Sequence, residues 1–205
     1  MTARSADPSR RDLLIATAGF SLAAAAFPAS AQVATTPPTP PVGPRKRLGM
    51  VLFDGFELLD VYGPLSMFGA LKDRLDIITL AAKAGAVKSG GGPSVIADIS
   101  FADAPPLDIL IIPGGIGTRR EVTNPDFLNA IRGLAEAAPQ VATVCTGSAV
   151  LAKTGLLDGH KATSNKMAWK WATAQSAKVL WVPKARWVDD GKFISSSGVS
   201  AGTDM

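Results

Sequence analysis

The one cysteine of this 205-residue chain, Cys145, lies where a short apolar run gives way to a run of small residues. Residues 141–144 predict a buried strand, and residues 147–152 predict a helix. Cys145 therefore falls at a strand-to-helix turn, where Thr143 and Gly147 supply the small side chains that a nucleophile elbow needs. A thiol at a helix N-terminus faces unpaired N–H groups, which favour the thiolate. Cys145 is thus a candidate nucleophile, with a buried, inert cysteine as the alternative.

Two further segments carry groups that such a nucleophile needs. Asp60 is predicted in a loop at or near a helix start, and it can act as acid/base if burial or the thiolate raises its pKa. Its alternative role is a helix cap. Gly114 and Gly115 follow a strongly apolar strand, where unshielded N–H groups can bind developing negative charge beside the N–H of Thr146; a plain turn is the alternative. Gly115-x-Gly117 lacks the third glycine of a dinucleotide fingerprint, so nucleotide binding is not predicted.

The only histidine, His160, lies in a turn beyond the helix that follows Cys145. We therefore expect it on the surface and remote from the thiol. A cysteine-histidine hydrolase would need this histidine as its base, so the pattern disfavours peptide hydrolysis.

Strands alternate with helices along the chain. Predicted strands cover residues 48–53, 75–82, 94–100, 107–112, 141–144 and 193–197, with short strands at 179–182 and 185–189. Predicted helices run from Pro64 through Leu71, over 124–137 with Asn124 as cap, from 147 onward and over 166–177. This alternation predicts an α/β fold with a parallel sheet covered on both faces. Active crevices in such sheets lie outside the carboxyl ends of the strands, where Asp60, Gly114-Gly115 and Cys145 converge.

The N-terminus has the features of an export signal. Arg10-Arg11 precedes an apolar run over 13–27, and Ala29-Ser30-Ala31 forms a cleavage site. We predict a twin-arginine signal over 1–31, a Pro/Thr-rich linker over 32–47 and one domain over 48–205. The mature protein would then be periplasmic or secreted, without a stable membrane anchor; an uncleaved N-terminal membrane helix is the alternative.

The net charge of +4 is confined to the N-terminal segments. From Leu48 onward acidic and basic residues balance, and no basic stripe is present, so we expect no nucleic-acid partner.

Five motifs resemble those of the DJ-1/PfpI superfamily, and within it the isonitrile hydratase branch most closely. They are Leu58-Leu59-Asp60-Val61-Tyr62-Gly63-Pro64, Ile112-Pro113-Gly114-Gly115, Val144-Cys145-Thr146-Gly147-Ser148, Gly155-Leu156-Leu157-Asp158-Gly159 and Ser196-Ser197-Gly198-Val199-Ser200-Ala201-Gly202. The resemblance covers the chain from Leu48 onward. It implies a flavodoxin-like three-layer sandwich with a mostly parallel sheet, a homodimer, a small-molecule substrate, and neither cofactor nor metal.

The resemblance also implies residue roles. Cys145 matches the nucleophile, Asp60 the acid that assists it, Thr146 the polar residue after the nucleophile, and Gly115 the backbone oxyanion donor. If this chain resembles an isonitrile hydratase in its chemistry, the Cys145 thiolate would attack the isocyanide carbon, and Asp60 would protonate that carbon or activate water. Hydrolysis of the thioimidate would then release an N-substituted formamide. A domain that binds ligands without turnover, and a glyoxal-detoxifying or redox-protective enzyme using the same cysteine, are the alternatives.

The chain departs from the family pattern in two places. Thr163-Ser164-Asn165-Lys166 replaces a Thr-Thr-His-Trp-like segment; Asn165 cannot act as a base but can orient substrate or water, and a part for Lys166 stays open. The chain also ends at Met205, where the family's last helix would begin. We therefore expect that helix to be missing and one sheet face to be partly uncovered.

Overall fold

The computed structural model of this chain describes residues 43–205. The predicted export signal and most of the predicted linker lie outside these residues, so the export of the protein stays a prediction. Over 43–205 no helix has both the length and the apolar character needed to cross a membrane.

A seven-stranded sheet forms the centre of the domain. Its strands are β1 Lys46–Val51, β2 Leu75–Ala81, β5 Ile99–Ser100, β6 Ile109–Ile112, β7 Gln140–Val144, β10 Trp187–Asp190 and β11 Phe193–Ser196. Their order is β10-β11-β7-β6-β1-β2-β5, and every neighbouring pair is parallel except β10 with β11. Two small sheets pair β3 Gly85–Lys88 with β4 Ser94–Ala97, and β8 Lys161–Ala162 with β9 Leu180–Trp181.

Within residues 43–205, six helices pack around this sheet. They are α1 Leu58–Gly69, α2 Thr118–Glu121, α3 Pro125–Ala137, α4 Gly147–Lys153, α5 Trp169–Thr173 and α6 Ser200–Asp204. The inner strands are apolar on both faces: Leu110, Ile111 and Ile112 of β6 are almost wholly buried. Continuous apolar strands are typical of a parallel sheet with helices on both sides. The predicted flavodoxin-like α/β fold is confirmed.

The topology explains why distant segments meet. β11, β7, β6 and β1 are neighbours in the sheet. The segments after β7, β6 and β1 carry Cys145, Gly114 and Asp60, and the segment after β11 carries Val199. These four segments therefore leave the same edge of the sheet side by side.

Among the predicted boundaries that differ from the structure, three differ most. The strand expected over 94–100 is two strands, because the Asp98 carboxylate binds the Thr79 N–H at 2.8 Å and breaks the run between them. The first helix begins at Leu58, not at Pro64, so Asp60 lies within its first turn. The helix expected over 166–177 is limited to Trp169–Thr173, because Ser176 instead binds Asp158 and the Trp181 indole.

The C-terminal residues also differ from expectation. No helix is predicted over residues 200–204, but these residues form α6. This helix packs against α1 so closely that a side chain at Gly63 would meet Thr203 Oγ1 at 2.4 Å. An apolar groove of about 290 Å³ remains beside α1 and α6, on the sheet face formed by Ile109, Ile111, Ala142 and Ile194.

Candidate active site

Cys145 occupies a strained turn between β7 and α4. Its φ of +59° lies in the left-handed region, which costs a non-glycine residue on the order of 1–3 kcal/mol. The surroundings hold this conformation: the Cys145 N–H donates to Ser196 O at 3.1 Å. The Cys145 carbonyl accepts from Ser148 Oγ at 3.0 Å and Ser164 Oγ at 3.2 Å. The predicted strand-to-helix elbow is therefore present and anchored on both sides.

Glycines allow the neighbouring segments to approach this elbow. A Cβ at Gly147 would lie 2.1 Å from the Ile112 carbonyl oxygen, and one at Gly114 would lie 2.7 Å from Cys145 Cβ. A Cβ at Gly198 would lie 2.3 Å from Cys145 Cβ. A side chain at any of these positions would force the elbow or the segments packed against it to move.

The Asp60 carboxyl group is fully buried directly beside the thiol. Its Oδ2 accepts from the Gly114 N–H at 2.9 Å, and its Oδ1 accepts from the Val199 N–H at 3.2 Å. Both oxygens are thus fixed by backbone, and the Cys145 thiol lies within hydrogen-bonding range of the same carboxyl group. The Asp60 side chain makes no capping hydrogen bond at the start of α1, so the helix-cap alternative is wrong.

Val199 is a positioning residue that sequence reasoning did not single out. Its φ of +41° is strained for a β-branched residue, and it turns the Val199 N–H towards Asp60. The sequence signal for Val199 is the Gly198-Val199 pair inside the last of the five motifs. Only the fold shows which strand this pair follows.

Burial shifts both titratable groups of the pair. Burial, with a smaller contribution from the charge of Glu57, raises the pKa of Asp60 to about 6 against the opposing hydrogen bonds. Burial and then the Asp60 charge raise the pKa of the Cys145 thiol to about 12. The Thr146 N–H at the helix N-terminus favours the thiolate, as expected, but burial and the Asp60 charge outweigh it. Both effects favour the protonated thiol over the thiolate.

The N–H groups of Gly114 and Gly115 are not free, contrary to expectation. The Gly114 N–H holds Asp60, and the Gly115 N–H donates to Thr146 Oγ1 at 3.1 Å. The Thr146 hydroxyl is itself bound by Thr118 Oγ1 at 3.1 Å. The Thr146 N–H lies instead within hydrogen-bonding range of the Cys145 sulfur. Gly114 thus positions the acid/base, and Thr146 supplies the backbone donor nearest the thiol.

Asn165 contributes a second donor at the sulfur. Its Oδ1 accepts from the Ala168 N–H at 3.0 Å, which fixes the amide so that its NH₂ group is left for Cys145. Lys166 does not line the pocket: its Nζ binds Thr163 Oγ1 at 2.5 Å and lies over the Trp169 ring. His160 pairs with Asp190 at 2.8 Å, outside the pocket, as predicted for a surface histidine.

An open pocket of about 280 Å³ leads to the thiol. It is lined by Glu57, Gly115, Ile116, Arg119, Cys145, Thr146, Asn165, Met167, Ala168 and Val199. No local sequence pattern marks three of these pocket residues, which are Glu57, Arg119 and Met167. Over residues 43–205 no three His, Cys, Asp or Glu side chains cluster as a metal site.

A buried cysteine on a strand-to-helix elbow, paired with a carboxyl group at the edge of a parallel sheet, defines a class of α/β proteins built for cysteine chemistry. This chain belongs to the DJ-1/PfpI family, whose model matches residues 46–205.

Curated and solved relatives agree with this assignment. The chain is 33% identical to an isonitrile hydratase of Pseudomonas putida over 78% of its own length and 68% of that protein. It is 27% identical to a deglycase of Thermococcus kodakarensis, over 70% of this chain and 84% of the other. A ThiJ/PfpI family protein from Pseudomonas syringae superposes with a TM-score of 0.71 at 29% identity, over 90% of this chain and 74% of the other.

Proposed function

We propose that this protein is a cysteine-dependent hydratase that converts a small isocyanide into an N-substituted formamide. The observation that carries the proposal is the buried Asp60 carboxyl group, which the Gly114 and Val199 N–H groups hold beside the Cys145 thiol, so that the pair can share a proton. Isocyanide hydration needs a nucleophile and a proton delivered to the same carbon, and this pair supplies both. The similarity to an isonitrile hydratase supports the same assignment.

In the first step the Cys145 sulfur bonds to the isocyanide carbon. Asp60 accepts the thiol proton as the C–S bond forms and passes it to that carbon, which would otherwise become a carbanion. The product is an enzyme-bound thioimidate, S–CH=N–R, which contains all atoms of the thiol and the isocyanide.

In the second step water adds across the C=N bond, with its hydroxyl on carbon and its other proton on nitrogen. The C–S bond then breaks as the hydroxyl loses its proton through Asp60 to sulfur, and the N-substituted formamide leaves. The Thr146 N–H and the Asn165 amide stabilise the departing thiolate, because both lie in range of the sulfur.

The direct test is formamide release from cyclohexyl isocyanide by the full chain. Cys145→Ala should abolish turnover, whereas His160→Ala, outside the pocket, should keep it. No turnover by a folded protein whose thiol can be alkylated would contradict the proposal. Formation of a hydroxy acid from methylglyoxal would then favour the glyoxal-directed alternative, which is the weaker candidate because the only histidine lies elsewhere.

The pH dependence provides a second prediction. Asp60 must be ionised to accept the thiol proton, and burial raises its pKa to about 6. We expect kcat/KM to fall about tenfold per pH unit below that value. Because the thiol pKa is raised to about 12, no further rise in rate is expected through mildly alkaline pH. An acid limb at the ordinary aspartate pKa, or a rate that climbs with thiolate formation, would contradict this mechanism.

Two accompanying expectations stay predictions. Exposed apolar residues on α1, among them Leu59, Tyr62 and Met67, are consistent with a homodimer. Export by the twin-arginine pathway depends on residues 1–31, which lie outside the described part.

A further inference from the structure

A single guanidinium group is held rigidly at the mouth of the thiol pocket. Arg119 follows the Pro113-Gly114-Gly115 turn and lines the pocket with Cys145. Its guanidinium carbon lies 4.1 Å above the centre of the Trp171 ring. Its Nη1 donates to Gly115 O at 3.4 Å and to Thr118 Oγ1 at 3.3 Å. Stacking on one face and two hydrogen bonds on one edge fix the plane of the group.

The remaining edge of Arg119 has no partner within the described residues. Four other arginines of the described domain form ion pairs, whereas Arg47 and Arg74, like Arg119, form none. No acidic side chain over 43–205 forms an ion pair with Arg119, and its Nε and Nη2 have no acceptor there. A guanidinium presents five N–H donors, and its fork matches the two oxygens of a carboxylate.

Besides Arg119, the pocket lining combines apolar side chains with the Thr146 and Asn165 side chains and one carboxylate. Ile116 is 67% exposed and Met167 is fully exposed, so both offer contact area to a hydrocarbon body. Glu57 lines the same pocket and has no ion pair among residues 43–205. A negative group on a substrate would therefore avoid Glu57 and bind at Arg119.

We propose that Arg119 is a specificity-determining residue that binds a carboxylate on the substrate, so that the preferred isocyanides are anionic. This inference rests on the proposed hydratase function and narrows its substrate class. The reacting carbon contacts Cys145, and the carboxylate occupies the free edge of the guanidinium.

The test compares isocyanoacetate with its neutral methyl ester. For the natural chain we expect kcat/KM to be at least about tenfold higher for the carboxylate, mainly through KM, as for charge-assisted hydrogen bonds. Arg119→Met should remove this preference and leave kcat/KM for the ester within about threefold of the value for the natural chain. Arg119→Lys should restore part of it, and Glu57→Gln should lower KM for the carboxylate. Arg132→Met, on the surface, is the matched control and should change neither substrate.

A measurement without turnover separates the two proposals. Cyclohexanecarboxylate should slow the alkylation of Cys145 by iodoacetamide in the natural chain but not in Arg119→Met, whereas cyclohexylmethanol should protect neither. Protection of this kind without hydration of either isocyanide would support the anion site and reject the hydratase. Hydration without carboxylate preference or protection, or an equal loss on both substrates in Arg119→Met, would overturn the role of Arg119.

Discussion

Asp60→Asn should lower isocyanide hydration by about a thousandfold and, at the same time, make the Cys145 thiol more acidic. An amide can neither accept the thiol proton nor deliver it to the isocyanide carbon. The Asp60 charge and its contact with the thiol both raise the thiol pKa, so their removal lowers it. Burial is the largest cause of that shift and stays in place, so the thiol pKa should remain above its ordinary value of 9.0.

Two measurements check this prediction together. Formamide release reports the lost proton transfer, and the ultraviolet absorbance of the thiolate across a pH titration reports the thiol pKa. Asp190→Asn is the matched control, because Asp190 pairs with His160 outside the pocket and should affect neither quantity. Turnover within tenfold of the natural chain, or a thiol pKa that rises in Asp60→Asn, would contradict the shared-proton pair.

The same substitution should show in the stability of the fold. The pKa of Asp60 is raised from 3.8 to about 6, so the folded state holds the proton more tightly than the unfolded state. The favourable contribution of this group is complete below the unfolded pKa and is lost as pH rises through the folded one. Asparagine does not titrate, so the variant does not lose this contribution. The free energy of unfolding of Asp60→Asn, relative to that of the natural chain, should therefore rise by up to about 3 kcal/mol from acidic to neutral pH.

Gly198→Ala should reduce turnover by about two orders of magnitude and destabilise the fold by about 2–4 kcal/mol. The new Cβ would lie 2.3 Å from Cys145 Cβ and 2.8 Å from Cys145 Sγ, distances that require the backbone to move. The φ of +90° at Gly198 adds strain for any L side chain. The next residue, Val199, holds the Asp60 carboxyl group, so one shift displaces both members of the proton-sharing pair.

Gly155→Ala separates backbone strain from damage to the site. Gly155 has a comparable φ of +85°, but a Cβ there would meet nothing within 4 Å. This variant should lose some stability in thermal unfolding and retain its turnover. Equal losses of turnover in the two variants would mean that the close packing of Gly198 on the thiol is not what activity requires.

The sequence alone determined the local geometry and the order of the elements. A β-branched run followed by small residues predicts the elbow at Cys145, and Asn124-Pro125 predicts the start of α3, where the Asn124 side chain accepts from the Phe127 N–H at 3.2 Å. Such features depend on residues a few positions apart, so they can be recognised in one stretch of chain. The convergence of Asp60 with Cys145 also follows, because parallel strands end at one edge of the sheet.

Only the tertiary structure decided the protonation of the site and the partners of its donors. A helix N-terminus by itself favours a thiolate, but burial and a carboxylate 85 positions away along the chain outweigh it and keep the proton on Cys145. The sequence predicts a free Gly115 N–H, but the fold places the Thr146 hydroxyl against it. Arg119 stacked on Trp171 has no local signature at all. Desolvation, charge–charge interactions and hydrogen-bond partners depend on distances between segments, and those distances exist only once the chain has folded.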